Sequence, residues 1–452
     1  LSQNPSQQNQ WTQELRYART ADRWDFIAGL FGYHQRVRTQ GTQRQGPAAS
    51  QWLLAPGSAL ANDASVLDGL TAHNDIRLNN SSAAVFGQLT WHATDYLRVQ
   101  PGLRINYDTK SGLYDSTVVN GAGQAVTFAS TDPRIVAQRG VLSPQRFEPQ
   151  FSDWNLSYDL SLSYDITADI LVYATYARSF KSGGINLNGV PNDAAGNPIV
   201  AAGTVTPEKV DHYEIGLKTQ FFNRRLTVNL TGFETRIADY QALVTNGQLG
   251  VLRGYLANAD HVAVRGAELE FAARPFDRVN IYTNGAYTDA RYTRFTDAPC
   301  PPELSGGATA SAGQTPGAAG IPGALSPANC DISGQVLPGV SRWSASWGAE
   351  YRAPARLLAT SGHWFIAYDG NARTRFSSNP TPSVYTWVGG YSLHNARAGF
   401  ESDAGWGLFG WVRNAFDANY YEQLAVPSGN TGLIVGQPGD PRTWGATLTM
   451  RI

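Results

Sequence analysis

The sequence predicts an all-β chain, a transmembrane antiparallel β-barrel, on three observations. Apolar and polar residues alternate strictly over segment after segment of about ten residues, the length a tilted strand needs to cross lipid. The connections between segments are short and long by turns. No apolar run is long enough for a membrane helix, so any crossing must be made by strands.

The alternation is clearest from Trp154. Trp154, Leu156, Tyr158, Leu160, Leu162, Tyr164 and Ile166 are apolar or aromatic, while Asn155, Ser157, Asp159, Ser161, Ser163 and Asp165 are polar. The same period of two runs through Leu97, Val99, Leu103, Ile105 and Tyr107, and again through Tyr213, Ile215, Leu217 and Phe221. A period of two gives a strand two chemically different faces, and helical spacing fits none of these segments. Taken in order, strands are expected to begin near Trp11, Trp24, Ala83, Tyr96, Trp154, Ile170, Val210, Leu226, His261, Val279, Arg342, His363, Tyr391, Trp406 and Thr443, about fifteen in all. Sandwiches, propellers and solenoids also use such strands, but shorter ones.

Composition agrees. Gly numbers 46, Trp 12 and Tyr 21, and charged residues make up 16%. Glycine and interfacial aromatics suit barrel strands and their turns. Mean hydropathy is −0.30, as expected where lipid-facing and lumen-facing residues cancel. Lys and Arg total 35 against 36 Asp and Glu, so net charge gives no nucleic-acid footprint.

Tight turns are expected around Ala21-Asp22-Arg23, Thr94-Asp95, Thr167-Ala168-Asp169, Asn223-Arg224 and Phe276-Asp277. Long Gly-, Pro-, Asn- and Ser-rich loops are expected near 39–75, 109–151, 180–208, 238–258, 295–340, 374–386 and 418–441. Outer-membrane barrels place short turns in the periplasm and long loops outside. The strand from Thr443 then runs inward, leaving the C-terminus periplasmic. The strand from Trp11 runs inward too, so the count is odd, and at least one further strand is expected upstream. Leu1-Ser2 carries no initiator Met and no leader pattern, which reads as the start of a segment inside a longer precursor.

Several segments resemble TonB-dependent outer-membrane receptors. Tyr173-Ala-Thr-Tyr-Ala-Arg-Ser-Phe-Lys-Ser-Gly-Gly184 is similar to a family strand ending in an aromatic, a basic residue and Ser-Gly-Gly. Pro207-Glu208-Lys209 followed by Tyr213-Glu214-Ile215-Gly216-Leu217-Lys218, then Asn258-Ala259 and Gly266-Ala267-Glu268-Leu269-Glu270, follow in family order. Val412-Arg-Asn-Ala-Phe-Asp-Ala-Asn-Tyr420 and Pro438-Gly-Asp-Pro-Arg-Thr-Trp-Gly445 complete the match, which spans essentially residues 1–452. The resemblance implies a barrel of 22 strands filled by an N-terminal plug with a TonB box, of which the plug and first strands are absent here. It implies TonB and its inner-membrane energising complex as partners, together with outer-membrane lipid, a small-molecule ligand and the barrel assembly machinery, and no cofactor. The family usually ends in Phe; this chain ends in Arg451-Ile452, though Trp444, Ala446, Leu448, Met450 and Ile452 keep the alternation of an assembly signal.

Cys300 and Cys330, both in one long loop, are expected to form a disulfide, because an oxidising exterior disfavours free thiols. Glu268 and Glu270 share one strand face and resemble an acid and base pair, but same-face carboxylates on a barrel strand read better as lumen groups; Glu214, Lys218 and Arg265 are read likewise. Seven His are scattered without ligand spacing, and no nucleophile, phosphate-loop or dinucleotide motif occurs, so neither a metal site nor catalysis is expected. Arg178, Lys181, Arg253, Arg373 and Arg375 lie near loop-side strand ends and suit an anionic ligand, with Tyr255, Trp387 and Tyr391 as stacking surfaces. The expected function is energised import of a scarce nutrient, a ferric siderophore or similar chelate foremost. A passive porin-like channel is the alternative, and an outer-membrane enzyme or adhesin is disfavoured by the missing motifs.

Overall fold

In the computed structural model, fifteen long strands follow one another as a single antiparallel meander. The structure describes residues 1–54, 57–193, 195–245, 254–298, 300, 330–379, 383–426 and 434–451, without the side chains of 243–245 and 254–256. The strands are β1 Ser6–Ala21, β2 Trp24–Arg44, β3 Thr71–His92, β4 Leu97–Val119, β5 Gln150–Thr167, β6 Ile170–Lys181, β7 Glu208–Phe221 and β8 Leu226–Thr245. The series continues through β9 Gly254–Phe276, β10 Val279–Arg294, β11 Trp343–Leu357, β12 Thr360–Arg373, β13 Tyr391–Ser402, β14 Trp406–Arg413 and β15 Thr443–Met450. Each pairs with the next. Among the described residues β1 and β15 are not paired with each other.

Register explains why the alternation holds. Leu15, Leu30, Val85, Ile105 and Leu156 lie directly opposite one another across five strands. Leu217, Leu230 and Leu269 continue an equivalent row. Apart from the half-buried Leu217 these side chains are exposed, as are Ile215 at 66% and Leu448 at 61%, which only a lipid solvent makes favourable for so many large apolar groups. The other face is polar and forms the lumen wall.

Turns and loops alternate by end. At the turn end, β11 and β12 are joined through Leu358 and Ala359 at φ 50° and 62°. Positive φ at both central residues is the type I′ geometry whose twist matches the flanking strands. At the loop end the strands run further than composition suggested. Strand β3 begins at Thr71 rather than near Ala83, β9 at Gly254 rather than near His261, and β4 continues to Val119. The regions expected as loops at 39–75, 109–151 and 238–258 are therefore partly ladder. Polar, loop-like residues pair there because backbone hydrogen bonds need no apolar pattern, and the loops cover one face at Ala72, Val118 and Ala259.

The loops pack on one another. Val66, Leu67, Leu70, Val118, Val126, Val141 and Leu142 form a buried cluster between residues 45–70 and 120–149. A helix, α1 Pro133–Val141, is N-capped by Asp132, and its Arg134 reaches Asp63 at 2.8 Å. The Ser65 hydroxyl and backbone amide, followed by Arg134, hold the Asp63 carboxyl below its ordinary range. A depressed carboxylate stabilises the contact above its ordinary pKa and ceases to do so as pH falls through the folded value. As pH falls below about 4 the α1 contact should weaken, seen as lower amide protection factors at 133–141, corrected for the intrinsic pH dependence of exchange, with no change in the strands; equal protection across acid titration would contradict this.

A lumen-wall site and its relatives

Adjacent rows of the lumen face bring six strands' polar residues into line. Lys218, Asn229, Glu270, Asn284, Ser346 and Asn371 are consecutive register partners from β7 to β12. The next row toward the loops reads Gly216, Thr231, Glu268, Ala286, Ser344, Arg373 and Tyr391. All of them but Gly216 and Tyr391 line a cavity of about 860 Å³, which Gly339, Val340 and Ser341 border on its loop side. Lys218, Glu268, Glu270 and Arg373 thus line one groove that runs across six strands.

Their partners define what the wall offers. The Asn229 side-chain amide donates to Glu270 Oε2 at 2.8 Å, and Asn284 donates to Ser346 Oγ at 3.4 Å. Arg373 donates to Ser341 Oγ at 2.8 Å and to the Gly339 carbonyl at 2.7 Å, and lies over the Phe376 ring at 3.8 Å. Tyr391 is its register partner and packs on Tyr420 at 4.4 Å. This is a surface of amides, hydroxyls and fixed charges that binds by multiple hydrogen bonds. Among the described residues no group of three or more His, Cys, Asp or Glu could hold a metal ion.

The motif around Gly216 has a packing reason. The Tyr173 ring crosses Gly216, donates from its hydroxyl to Glu214 Oε1 at 2.7 Å, and receives Lys218 Nζ at 5.3 Å from its centroid. A Cβ on Gly216 would stand 2.3 Å from that ring. Gly216→Val should therefore evict Tyr173 and cost about 1–3 kcal/mol as overpacking. Urea unfolding in bilayers checks it, with an unchanged midpoint as the contrary result.

Other candidates are placed elsewhere. Lys181 is held at 2.9 Å by Glu208, a carboxylate only 5% exposed that also accepts from the Gln241 amide at 2.7 Å. Asn258 donates to the carbonyls of Thr206 and Asp239, so the Pro207-Glu208 and Asn258 motifs act as a latch between β7 and the β8–β9 hairpin. Arg178 stands in the opposite row from Lys181 and pairs with Asp211 at 3.3 Å, turned away from the lumen. Arg265 is likewise not a lumen group. It shares the face of Leu269, opposite to Glu268 and Glu270, and pairs with Glu234 at 2.9 Å. Strand parity forces both placements. Arg375 lies over Trp387 at 5.1 Å beside a second cavity of about 400 Å³. Arg253 lies outside the described residues, as does the Tyr255 side chain. Cys300 and Cys330 are joined by a disulfide, with Cα atoms 4.9 Å apart.

The reading of single strands missed Asn229, Asn284, Asn371, Ser341, Ser344 and Ser346. Each was legible as polar-face, but only register places them opposite one another.

The family model described as TonB dependent receptor-like, beta-barrel matches residues 2–415. The chain belongs to this family. The TonB-dependent receptor barrel is similar in sequence to the pesticin receptor of Yersinia enterocolitica, 26% identical over 59% of this chain and 32% of that protein. It is also similar to the probable TonB-dependent receptor BfrD of Bordetella pertussis, 25% identical over 64% of this chain and 34% of that one. In structure it resembles the ferric yersiniabactin uptake receptor FyuA of Yersinia pestis at a TM-score of 0.69 and 19% identity, covering 99% of this chain and 55% of the other. The ferric-catecholate import receptor Fiu of E. coli K12 gives 0.60 at 17%, covering 99% and 55%. This TonB-dependent receptor barrel therefore spans about half the length of the solved receptors it matches, and about a third of the matched sequence relatives.

Proposed function

We propose that the protein imports an iron chelate across a bacterial outer membrane, using energy delivered by TonB and its inner-membrane complex. The observation that carries this reading is the aligned lumen wall of amides, hydroxyls and charges from Lys218 to Arg373, within a chain of this family. Such a surface suits an oxygen-rich ligand, or a plug that holds one, and relatives named for ferric yersiniabactin and ferric catecholate favour iron. The loop end faces outward and the C-terminus lies in the periplasm, as short periplasmic turns and long outer loops require. The alternating C-terminal strand is then the segment that the barrel assembly machinery and lipid meet first. The relatives do not favour the passive channel.

The test is uptake of radioactive iron, presented as individual chelates, by cells expressing the full-length protein with and without TonB. Accumulation of one chelate that vanishes without TonB is the expected result. Entry that is independent of TonB, or that admits any small solute equally, overturns the proposal.

A further inference from the structure

The turn end of the barrel is not chemically uniform. At three adjacent turns, β7–β8, β9–β10 and β11–β12, residues 221–226, 274–279 and 356–360 hold Arg224, Arg225, Arg274, Arg278 and Arg356 against the single acid Asp277. The other four turns carry Asp22, Asp95, Asp169 and Asp403 against the single base Arg23. The three basic turns touch: Arg225 reaches Asp277 at 2.5 Å, and the Arg352 amide donates to the Arg278 carbonyl at 2.9 Å. Arg224, Arg278 and Arg356 are exposed and have no carboxylate partner among the described residues. Beside them Phe222, Phe276 and Leu358 are 76%, 70% and 84% exposed. Phe222 lies at φ 54° and Leu358 at φ 50°, where Asn or Gly relieves strain and a bulky apolar residue does not. The β11–β12 hairpin also overhangs its neighbour. Strand β10 leaves β11 at Val279 opposite Tyr351, whereas β11 and β12 stay paired down to Leu357 opposite Thr360.

We infer that this arc of turns docks on peptidoglycan, the polymer that lies directly beneath an outer membrane. Charge and shape both select it. Its peptide branches carry free carboxylates, which suit the planar donor forks of Arg224, Arg278 and Arg356. Its sugar rings offer flat C–H faces, which suit Phe222, Phe276 and Leu358. Reach decides against lipid as the occupant. Trp364 is the last outward ring of the β11–β12 hairpin, and amphipathic rings mark the edge of the hydrocarbon. From there to Leu358 a tilted strand descends roughly 15 Å, through a headgroup layer of only about 5–8 Å. The hairpin tip then stands in water with an apolar side chain uncovered, the mark of a surface that meets a partner. The strained φ at Phe222 and Leu358 fits the same account, because strain held at an exposed turn points to a role other than closing it. The inference rests on the turn end facing the periplasm.

The experiment sediments the purified full-length protein, in detergent, with isolated peptidoglycan sacculi and with sacculi whose carboxylates have been amidated. Native sacculi should retain about tenfold more protein than amidated ones. The R224Q/R278Q/R356Q variant should lose that preference while keeping its heat-modifiable gel mobility. The F222N/L358N variant should bind native sacculi about tenfold more weakly although Asn suits both φ values and its urea midpoint does not fall; undiminished retention would assign the two side chains to the turns alone and overturn the inference. Equal retention by native and amidated sacculi overturns it without needing any variant. Displacement from sacculi by mixed micelles of phosphatidylglycerol also overturns it, marking the arc as a lipid contact instead. Sedimentation needs neither TonB nor iron, so failure of iron import would leave this result standing, and failure here would leave import untouched.

Discussion

An Ile215→Arg protein should lose about 1–2 kcal/mol of folding stability in bilayers, between the cost of about 2–4 for a charge on the lipid face at the midplane and about 0–1 at the interface. Ile215 is 66% exposed and sits in register with Ala174 and Gly232, within the apolar band. Three residues on, Lys218 lines the lumen cavity beside polar side chains, its ammonium over the Tyr173 ring and within reach of water. Lys218→Gln should therefore change stability by less than about 0.5 kcal/mol. The pair is informative because the two sites share a strand and differ chiefly in which way they point. Urea refolding into short-chain phosphatidylcholine vesicles, followed by tryptophan fluorescence and gel mobility, gives both values. Equal losses would mean that the exposed apolar band does not face lipid.

The second large effect is expected at the disulfide. The Cys300–Cys330 bond closes a loop across a separation of 30 residues, worth roughly 3–4 kcal/mol to its closed form by the chain-entropy argument. Its base is otherwise held by Ala298 and Cys330, which exchange backbone hydrogen bonds at 3.1 and 2.8 Å, and by Tyr292, Phe295, Ile332 and Leu337 packed together. That base should persist in the C300S/C330S protein while the loop opens. Protease cleavage between the two positions should accelerate by about a hundredfold or more, with the strands still protected. If cleavage of the native protein is equally fast with and without reductant, the bond contributes nothing to closure.

Much of this molecule was legible because its signals are local. Strict alternation from Trp154 to Ile166, and turns such as Thr167-Ala168-Asp169, need only neighbours in sequence to be read, and the strands lie where that reading put them. Strand ends beyond the lipid were not legible: Thr71–Ser82 carries only Ala72, Ile76 and Leu78 as apolar residues, too sparse a pattern to distinguish ladder from loop. The lumen wall was half legible. Glu268 and Glu270 follow from parity along one strand, but their alignment with Asn284, Ser346 and Arg373 depends on register across four strands. Arg265 was placed on the wrong face although parity from Leu269 assigns it, because a charge on a barrel strand is expected inside. Above the lipid that expectation lapses. The roles of Glu208 and Asn414 needed coordinates; Asn414, buried at φ 47°, ties its own turn to the carbonyls of Ala418 and Asp440.

The unequal lengths of the ladders give the wall a mechanical grain. Strand β2 is zipped to β3 along its full run from Trp24 to Arg44, whereas β13 and β14 are joined only from Ala396 to Glu401 against Gly407 to Val412. A load drawn through the C-terminus meets the weakest seams first, and the sheet should yield there hairpin by hairpin while the long N-terminal ladders still bear tension. Force applied at one end of this protein would thus be spent in a fixed order, and the last strands would serve as its fuse.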